Sequence, residues 1–387
     1  MLSQQELINL FRETREKSEE ICSFLETEDY VVQPIENVSP PKWHLGHTTW
    51  FFEEFVLKKY AEGHQLYDKN TAYVFNSYYE SVGEKVIRTN RGNLSRPTVS
   101  WIYDFRKYVT KQVLNLLENN SLSDEALSVI EIGCHHEKQH QELLYTDIKY
   151  ILGNNPLFPV YNDQFRENPV QDFDQEWINI EEGIYEIGHK TNDFCYDNEQ
   201  GVHKTYLHDF SISNKLVTNR EYLEFMESGG YDDVLLWHAE GWDWIKENNI
   251  QAPFYWHKIE NTWHQYTLNG LSKLSLDAPI THISYYEAFA FAEWKGMRLP
   301  TEKEWEVAQS KFEWGTRWEW TESAYSPYPG YKKPDGALGE YNGKFMVNQK
   351  VLRGASVATS KNHTRYTYRN FFHPQLRWQF TGFRLVK

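Results

Sequence analysis

Apolar residues recur at steps of three and four along the first part of the chain, which is the period of helices that bury one face. The pattern predicts a first helix over LSQQELINLFRETREKSEEICSFL. A second helix is predicted after the Pro40-Pro41 pair, through WHLGHTTWFFEEFVLKKY. A polar loop with many aromatic residues follows at roughly 61–94, and a connection of this length is often functional.

Two further helices complete this region. The third is predicted to start near Ser95, with Pro97 in its first turn, and to run through VSWIYDFRKYVTKQVLNLL. The fourth is predicted from near Ser123 to Leu152, where GNNP ends it. Four long helices with one long connection indicate an antiparallel bundle over residues 1–155.

The hydrophobic period changes after this bundle. Residues 156–176 are irregular and contain three prolines, and we interpret them as a linker. Over 177–387, short strand-like runs such as WINIEEGIYEIG and KTYLHDFSIS alternate with polar breaks. Two short helices are predicted, TNREYLEFMESGG and RLPTEKEWEVA, the second with Thr301 and Glu304 at capping-box spacing. The chain is therefore expected to be an α+β protein of two domains.

Composition excludes some classes of function. The net charge of −15 argues against a nucleic-acid partner, because phosphate binding needs a basic face. No apolar stretch reaches the ~18–20 residues that span a bilayer, and the polar N-terminus carries no signal core. Cys22, Cys134 and Cys195 show no paired spacing. These features predict a reduced, cytoplasmic protein without a membrane partner.

The strongest chemical pattern is CHHEKQHQELLYTD in the fourth helix. His136 and His140 are four residues apart, so both imidazoles lie on one helix face and can reach one ion. They belong to a stripe with the spacing of a buried face: Ala126, Val129, Gly133, His136, His140, Leu143, Asp147 and Ile151. Two hydrogen-bonded core histidines are the simpler alternative. A metal is favoured because one ion satisfies both imidazoles at once.

A third ligand is expected from the second helix. His44 and His47 are three residues apart, and His47 is preferred because Gly46 beside it permits close helix approach. Three neutral imidazoles suit Zn, Cu, Fe or Ni almost equally. Iron(II) is favoured by coordination number, since three facial histidines leave three positions of a six-coordinate ion open. The rival interpretation is a zinc peptidase, because HEKQH matches the zinc-protease signature with Glu137 as general base.

These motifs resemble a known family. His47 followed by HxxxHxE, ending at Glu142, resembles the DinB-like domain of the sulfoxide synthases of ergothioneine and ovothiol biosynthesis. The second half resembles their formylglycine-generating-enzyme-like domain, a C-type-lectin-like fold. The segments that carry this resemblance are VTNREYLEF, GGYDD, GWDW, RLPTEKEWEVA, WEWTESAYSPYPGY, YNGKFMVNQKVLRGAS and RYTYRNFFHPQLRWQFTGFRL.

The resemblance implies an iron(II)- and O2-dependent reaction that inserts thiol sulfur into an imidazole C–H bond and oxidises it to the sulfoxide. The implied substrates are N-α-trimethylhistidine and either cysteine or γ-glutamylcysteine. No methyltransferase domain follows Lys387, which favours the ergothioneine branch over the ovothiol branch. The absence of cysteines after Cys195 argues against formylglycine chemistry. Other acceptors or donors, and a non-catalytic binding module, remain alternatives.

Candidate proton donors follow from the loop and from the resemblance. A phenol beside the metal can give a proton or a hydrogen atom, and the family branch with a tyrosine pair on this loop indicates Tyr78 and Tyr79. In another branch the active tyrosine comes from the lectin-like domain, where Tyr328 and Tyr331 are available. Tyr328 is also counted among the substrate-binding residues.

Candidate substrate contacts lie in both domains. A carboxylate-bearing donor suits a guanidinium fork, which Arg91, and after it Arg88, supplies from the loop. The resemblance places Gln139 and Asn370 against the acceptor. Part of the family has an acidic residue where this chain has Phe372, and losing that contact for a γ-glutamyl ammonium favours free cysteine as donor. Aromatic faces near the C-terminus are expected to hold the trimethylammonium group.

Overall fold

The computed structural model describes residues 2–77, 79–119, 121–333 and 342–387. Within them the chain forms two compact units. The first unit holds the chain up to Asn162 and includes a later segment, Ala358–His363. The second unit starts at Asp163 and holds the remaining described residues. The boundary therefore falls inside the expected linker, and Ala358–His363 packs with the bundle although it lies far along the sequence.

The first unit is helical. Its helices are α1 (Gln4–Cys22), α2 (Pro41–Phe52), α3 (Lys58–Tyr60), α4 (Thr71–Phe75), α5 (Val99–Asn119) and α6 (Asp124–Gly153). A π-helical turn, Glu53–Leu57, joins α2 to α3. The long helices α1 and α2 each pack against both α5 and α6. The described part of the first unit is thus a bundle of four long helices.

The helix starts follow from capping chemistry. At α1, the Ser3 hydroxyl accepts a hydrogen bond from the Glu6 backbone N–H, and the Glu6 carboxylate accepts one from the Ser3 N–H. Ser123 caps α6 in the same way through its hydroxyl. The third long helix differs from expectation, because it begins at Val99 and Pro97 lies outside it. Thr98 accepts a hydrogen bond from the Trp101 N–H at 3.3 Å, which caps the helix after the proline.

Helix α2 lies in the centre of the bundle, and all twelve of its residues are buried. Two glycines permit close packing there. A Cβ atom at Gly46 would lie 2.3 Å from the Phe75 ring, and one at Gly133 of α6 would lie 2.6 Å from the Phe52 ring. Both positions therefore require glycine if the rings stay where they are.

The second unit contains short strands and helices. The strands are β1 (Trp177–Ile180), β2 (Gly183–Ile187), β3 (His203–Leu207), β4 (Phe210–Ser213), β5 (Trp256–Ile259), β6 (Thr262–Thr267), β7 (Gly270–Lys273), β8 (Trp318–Ala324), β9 (Lys350–Gly354), β10 (Asn370–Phe372) and β11 (Thr381–Gly382). The helices are α7 (Asn219–Glu227), α8 (Ala239–Glu247), α9 (Tyr285–Trp294) and α10 (Glu302–Ala308).

The strands pair into small sheets. The largest has the order β10-β9-β8-β11, antiparallel except for the parallel pair β11 and β8. Strands β5, β6 and β7 form a meander, and β1–β4 and β2–β3 form two-stranded pairs. The core is aromatic: Trp318 and Trp320 of β8 and Phe291 of α9 are at most 2% exposed. No helix in the described ranges is both long enough and apolar enough to cross a bilayer.

Candidate metal centre

Three histidines of the first unit converge. His47 comes from α2, and His136 and His140 come from α6. One ring nitrogen from each lies within 4.8 Å of the other two. The ring centroids are 5.0 Å apart for His47 and His136, and 4.7 Å apart for each other pair. The three residues that the sequence indicates as ligands therefore form one cluster, which we call the histidine triad.

A backbone carbonyl sets the tautomer of His47. Its Nδ1 lies 2.6 Å from the carbonyl oxygen of Phe75, which can only accept, so Nδ1 carries the proton. Its Nε2 is then an unprotonated lone pair, and it faces His136 Nε2 at 3.2 Å. Phe75 therefore has two contacts with α2. Its ring packs against Gly46, and its backbone carbonyl orients His47. No pattern in the sequence indicates this carbonyl contact.

His140 is oriented by a side chain. Its Nδ1 lies 2.8 Å from His44 Nδ1, and His44 Nε2 lies 2.9 Å from Asp147 Oδ2. Both His44 and Asp147 are 2% exposed. From the sequence alone, His44 is only a rival of His47, and Asp147 is only a member of the buried stripe. The usable signal was a carboxylate seven residues beyond His140 on the same helix face.

Burial keeps the triad uncharged. Desolvation of the charged form lowers the pKa of His136 to about 3. Burial first, and the neighbouring imidazoles second, lower the pKa of His47 and His140 well below the usual 6.5. At pH 7 all three rings are neutral, which is the form that binds a metal ion.

The triad fits a first-row transition metal. Two nitrogen ligands about 2.0–2.1 Å from one ion lie roughly 3.0 Å apart in octahedral and 3.4 Å apart in tetrahedral geometry. The 3.2 Å between the two Nε2 atoms lies in this range. The donor set is all nitrogen, which suits several metals and does not select one.

Glu137, the general base of the peptidase interpretation, points away from the histidine triad. It is fully buried, and its carboxylate accepts hydrogen bonds from Arg15 at 2.8 Å, Arg106 at 2.9 Å and Ser18 at 2.6 Å. Burial raises the pKa of this carboxyl, but the two guanidinium groups outweigh it and the pKa is lowered. A carboxylate held by two buried cations is a structural anchor between helices, which argues against a role in activating water.

Arg91 is a buried cation near the triad. Its guanidinium lies 3.3 Å over the Trp43 ring, and Trp43 stacks on His47 with centroids 4.7 Å apart. It donates hydrogen bonds to the hydroxyls of Ser39 at 3.0 Å and Ser77 at 3.3 Å. Among the described residues no carboxylate forms an ion pair with it, and its Nε has no partner. Burial lowers its pKa to about 9, so it is charged at pH 7.

The other candidates of the first unit have different surroundings. Arg88 is exposed and donates to the backbone carbonyls of Glu36 and Asn37. Tyr79 is fully buried, and its ring lies 5.8 Å from Trp50, which itself lies 5.7 Å from His47. Tyr78 falls outside the described residues.

Two polar residues of α6 flank His140. Gln139 is half-buried, one position before this ligand candidate. Glu142 accepts a hydrogen bond from the Thr359 hydroxyl at 2.9 Å. Thr359 belongs to Ala358–His363, so Glu142 fixes that later segment to the bundle.

The candidates of the second unit lie around β10 and α10. Tyr328 is 5% exposed and donates to Glu302 at 3.1 Å. Tyr331 donates to Asp197 at 2.8 Å. Asn370 is half-buried in β10, and its side-chain oxygen accepts from the Phe371 N–H at 2.9 Å. Phe372, at the end of the same strand, packs its ring 6.2 Å from Trp378.

Comparison with known proteins agrees with this architecture. The family model for the sulfatase-modifying factor enzyme 1-like domain matches residues 161–317 and 313–387, and that for the DinB superfamily matches residues 10–144. Hercynine oxygenase from Mycolicibacterium smegmatis is 29% identical over 246 residues, covering 51% of this chain and 57% of the relative. Hercynine oxygenase from Mycobacterium tuberculosis is 30% identical over 238 residues, covering 49% and 55%.

Ergothioneine biosynthesis protein 1 from Schizosaccharomyces pombe is 24% identical over 233 residues, covering 50% of this chain and 28% of the relative. The chain thus spans little more than half the length of the two hercynine oxygenases and a smaller share of the Schizosaccharomyces pombe protein. The predicted order of a DinB-like helical domain and a formylglycine-generating-enzyme-like domain is confirmed. The chain belongs to the sulfatase-modifying factor enzyme 1-like family, with a DinB-like domain preceding the family domain.

Proposed function

We propose that the protein is an iron(II)- and O2-dependent sulfoxide synthase that joins the sulfur of a thiol to an imidazole carbon of N-α-trimethylhistidine. The product is the sulfoxide precursor of ergothioneine. The thiol S–H and the imidazole C–H bond break, the C–S bond forms, and O2 accepts four electrons. One oxygen atom enters the sulfoxide and the other leaves as water. The names of the relatives, hercynine oxygenase and ergothioneine biosynthesis protein, support this reaction class.

The histidine triad is the observation that carries the proposal. Its rings are neutral and contributed by two helices, with His47 and His136 buried and His140 half-buried, and His47 presents an unprotonated Nε2 to the cluster. Iron(II) held there would supply open coordination positions for the two substrates and dioxygen, and the electrons that activate oxygen. The helices hold the nitrogens in place, because α2 is buried along its whole length.

Arg91 binds the carboxylate of the thiol substrate in this proposal. This buried guanidinium has hydroxyl partners and no ion pair with a carboxylate among the described residues, and an incoming carboxylate would supply one with bidentate geometry. The stack of Arg91 on Trp43 and of Trp43 on His47 fixes the direction of the guanidinium. Arg88 is a weaker candidate because backbone carbonyls already occupy its donors.

Cysteine is the proposed donor in preference to γ-glutamylcysteine. Phe372 packs on Trp378 and offers no charge to a γ-glutamyl ammonium group.

Gln139 and Asn370 are proposed contacts of the acceptor, and Tyr78 or Tyr79 is the proposed proton donor. A cytoplasmic location fits the cysteines, all three of which are free thiols.

The test is anaerobic loading of the purified protein with Fe(II), followed by O2 uptake and mass spectrometry of the products. Sulfoxide is expected only when thiol and N-α-trimethylhistidine are both present, and His136→Ala should lose both iron and product. His208→Ala is the matched control, because it removes an exposed imidazole of the second unit. A panel with histidine as acceptor and γ-glutamylcysteine as donor defines the substrates.

Each alternative gives a different result. Peptide cleavage that depends on Glu137 would indicate a zinc peptidase. Protein that binds no iron and yields no sulfoxide with any pair of substrates would refute the synthase and favour a binding module. Product from histidine and cysteine in place of the trimethylated acceptor would move the assignment to the ovothiol type.

A further inference from the structure

We propose that His44 and Asp147 are positioning residues that fix His140 as an Nε2 ligand and strengthen it as an electron donor to the metal. The inference rests on the proposed metal at the triad and assigns a role to two residues outside it. We call Asp147, His44 and His140 the ligand relay.

The relay sets proton positions from one end to the other. An ionised carboxylate can only accept, so His44 Nε2 carries the proton that faces Asp147 Oδ2 at 2.9 Å. With the His44 proton on Nε2, its Nδ1 accepts a hydrogen bond from the N–H at His140 Nδ1, 2.8 Å away. The lone pair of His140 is thereby left on Nε2. In the other tautomer, His140 would carry its proton on Nε2, and that nitrogen could not bind a metal.

The carboxylate end of the relay is held in place. The same Oδ2 atom of Asp147 accepts a hydrogen bond from the Ser39 backbone N–H at 2.9 Å. That backbone group cannot rotate away, and Asp147 and its two partners, Ser39 and His44, are each 2% exposed. The relay is therefore a fixed chain of hydrogen bonds in a water-poor part of the bundle, where such bonds are strong.

The relay also makes the triad asymmetric. His47 is oriented by a neutral carbonyl, that of Phe75. His140 is instead linked through His44 to a full negative charge. A carboxylate behind an imidazole raises the basicity of the ligand nitrogen. His140 is accordingly the stronger donor, and its position favours the higher oxidation state of a bound iron.

Two substitutions separate orientation from charge. His44→Phe keeps a ring of similar volume but removes both nitrogens, so His140 loses its fixed tautomer. Asp147→Asn keeps an oxygen for Ser39 N–H and His44 Nε2, because both need an acceptor at the same point, and it removes only the charge. The control is His64→Phe, since His64 is another buried histidine of the same unit, 3.5 Å from the Glu53 carboxylate.

The measurements are iron(II) affinity by competition with a chelator, and the midpoint potential of the bound iron, with circular dichroism to confirm folding. His44→Phe is expected to weaken iron binding by about 10–100-fold, the usual effect of losing an outer-shell partner. Asp147→Asn is expected to bind iron with a smaller loss and to raise the midpoint potential. His64→Phe should change neither quantity.

The outcomes separate this inference from the proposed function. Wild-type protein that binds no iron refutes both. Wild-type protein that binds iron and forms sulfoxide, with unchanged affinity in His44→Phe and unchanged potential in Asp147→Asn, refutes the relay alone. Equal loss in His64→Phe also refutes it, because the effect would then be general destabilisation. If His44→Phe does not fold, the potential of Asp147→Asn decides.

Discussion

The replacement Glu137→Gln separates the two metal-enzyme interpretations of HEKQH. Glu137 lies between Arg15 and Arg106, at 2.8 Å and 2.9 Å, and none of the three side chains is more than 2% exposed. A neutral amide leaves two buried guanidinium groups without their shared counter-charge. Breaking a buried pair in this way costs about 3–5 kcal/mol. For a unit of this size that corresponds to a fall in Tm of about 6–20 °C.

The assay is calorimetry together with iron binding and turnover per folded molecule at a temperature below both transitions. The matched control is Glu19→Gln. Glu19 is 45% exposed and lies 3.3 Å from Arg106, so its loss should cost less than about 1 kcal/mol. We expect Glu137→Gln to lower Tm strongly while folded molecules keep iron and turnover. Loss of activity with an unchanged Tm would refute this reasoning and return Glu137 to the role of a base.

Three further predictions concern the triad, the substrate and the second unit. Gly46→Ala should weaken iron binding, because the added Cβ would displace the Phe75 ring and with it the carbonyl that orients His47. Competition with a chelator measures the iron affinity. The control Gly183→Ala should leave it unchanged, because a Cβ at that position has ordinary contacts. Arg91→Lys should raise KM for the thiol by about 10-fold or more and leave KM for the acceptor unchanged in steady-state assays, because an ammonium lacks the planar fork; equal changes in both values would contradict the assignment. Burial raises the pKa of Glu302, but the guanidinium groups of Arg369 and Arg353 outweigh burial and lower this pKa. The ionised carboxylate therefore stabilises the fold above about pH 4.5, and this stabilisation is lost as pH falls further. Stability of Glu302→Gln should therefore depend less on pH below 4.5 in acid titrations followed by fluorescence.

The histidine triad was predictable because its signal is local. His136 and His140 share a face through helix geometry alone, and the stripe of apolar neighbours shows that this face is buried. Glycine beside His47 indicated close approach, and the 2.3 Å separation between a Cβ at Gly46 and Phe75 gives the reason. The capping box at Thr301 and Glu304 likewise predicted the start of α10, since it needs only residues three apart.

Other features depend on contacts that no local pattern reveals. The Asp147–His44 hydrogen bond joins residues 103 positions apart. Ala358–His363 packs with the bundle through contacts such as that of Thr359 with Glu142, 217 positions apart. Helix α9 was not predicted because YYEAFAFAEW is apolar on nearly every side, which removes the periodicity that marks a helix.

The motif HEKQH shows how a local pattern and its surroundings combine. Its two histidines belong to the triad. Glu137 follows His136 by one residue, so its side chain points about 100° around the helix from that of His136. At that angle it meets guanidinium groups from α1 and α5, which the motif itself cannot show. The same five residues would serve a peptidase if that side faced solvent and substrate. Helix phase assigns the direction of each side chain, and the residues that another helix places there determine its chemistry.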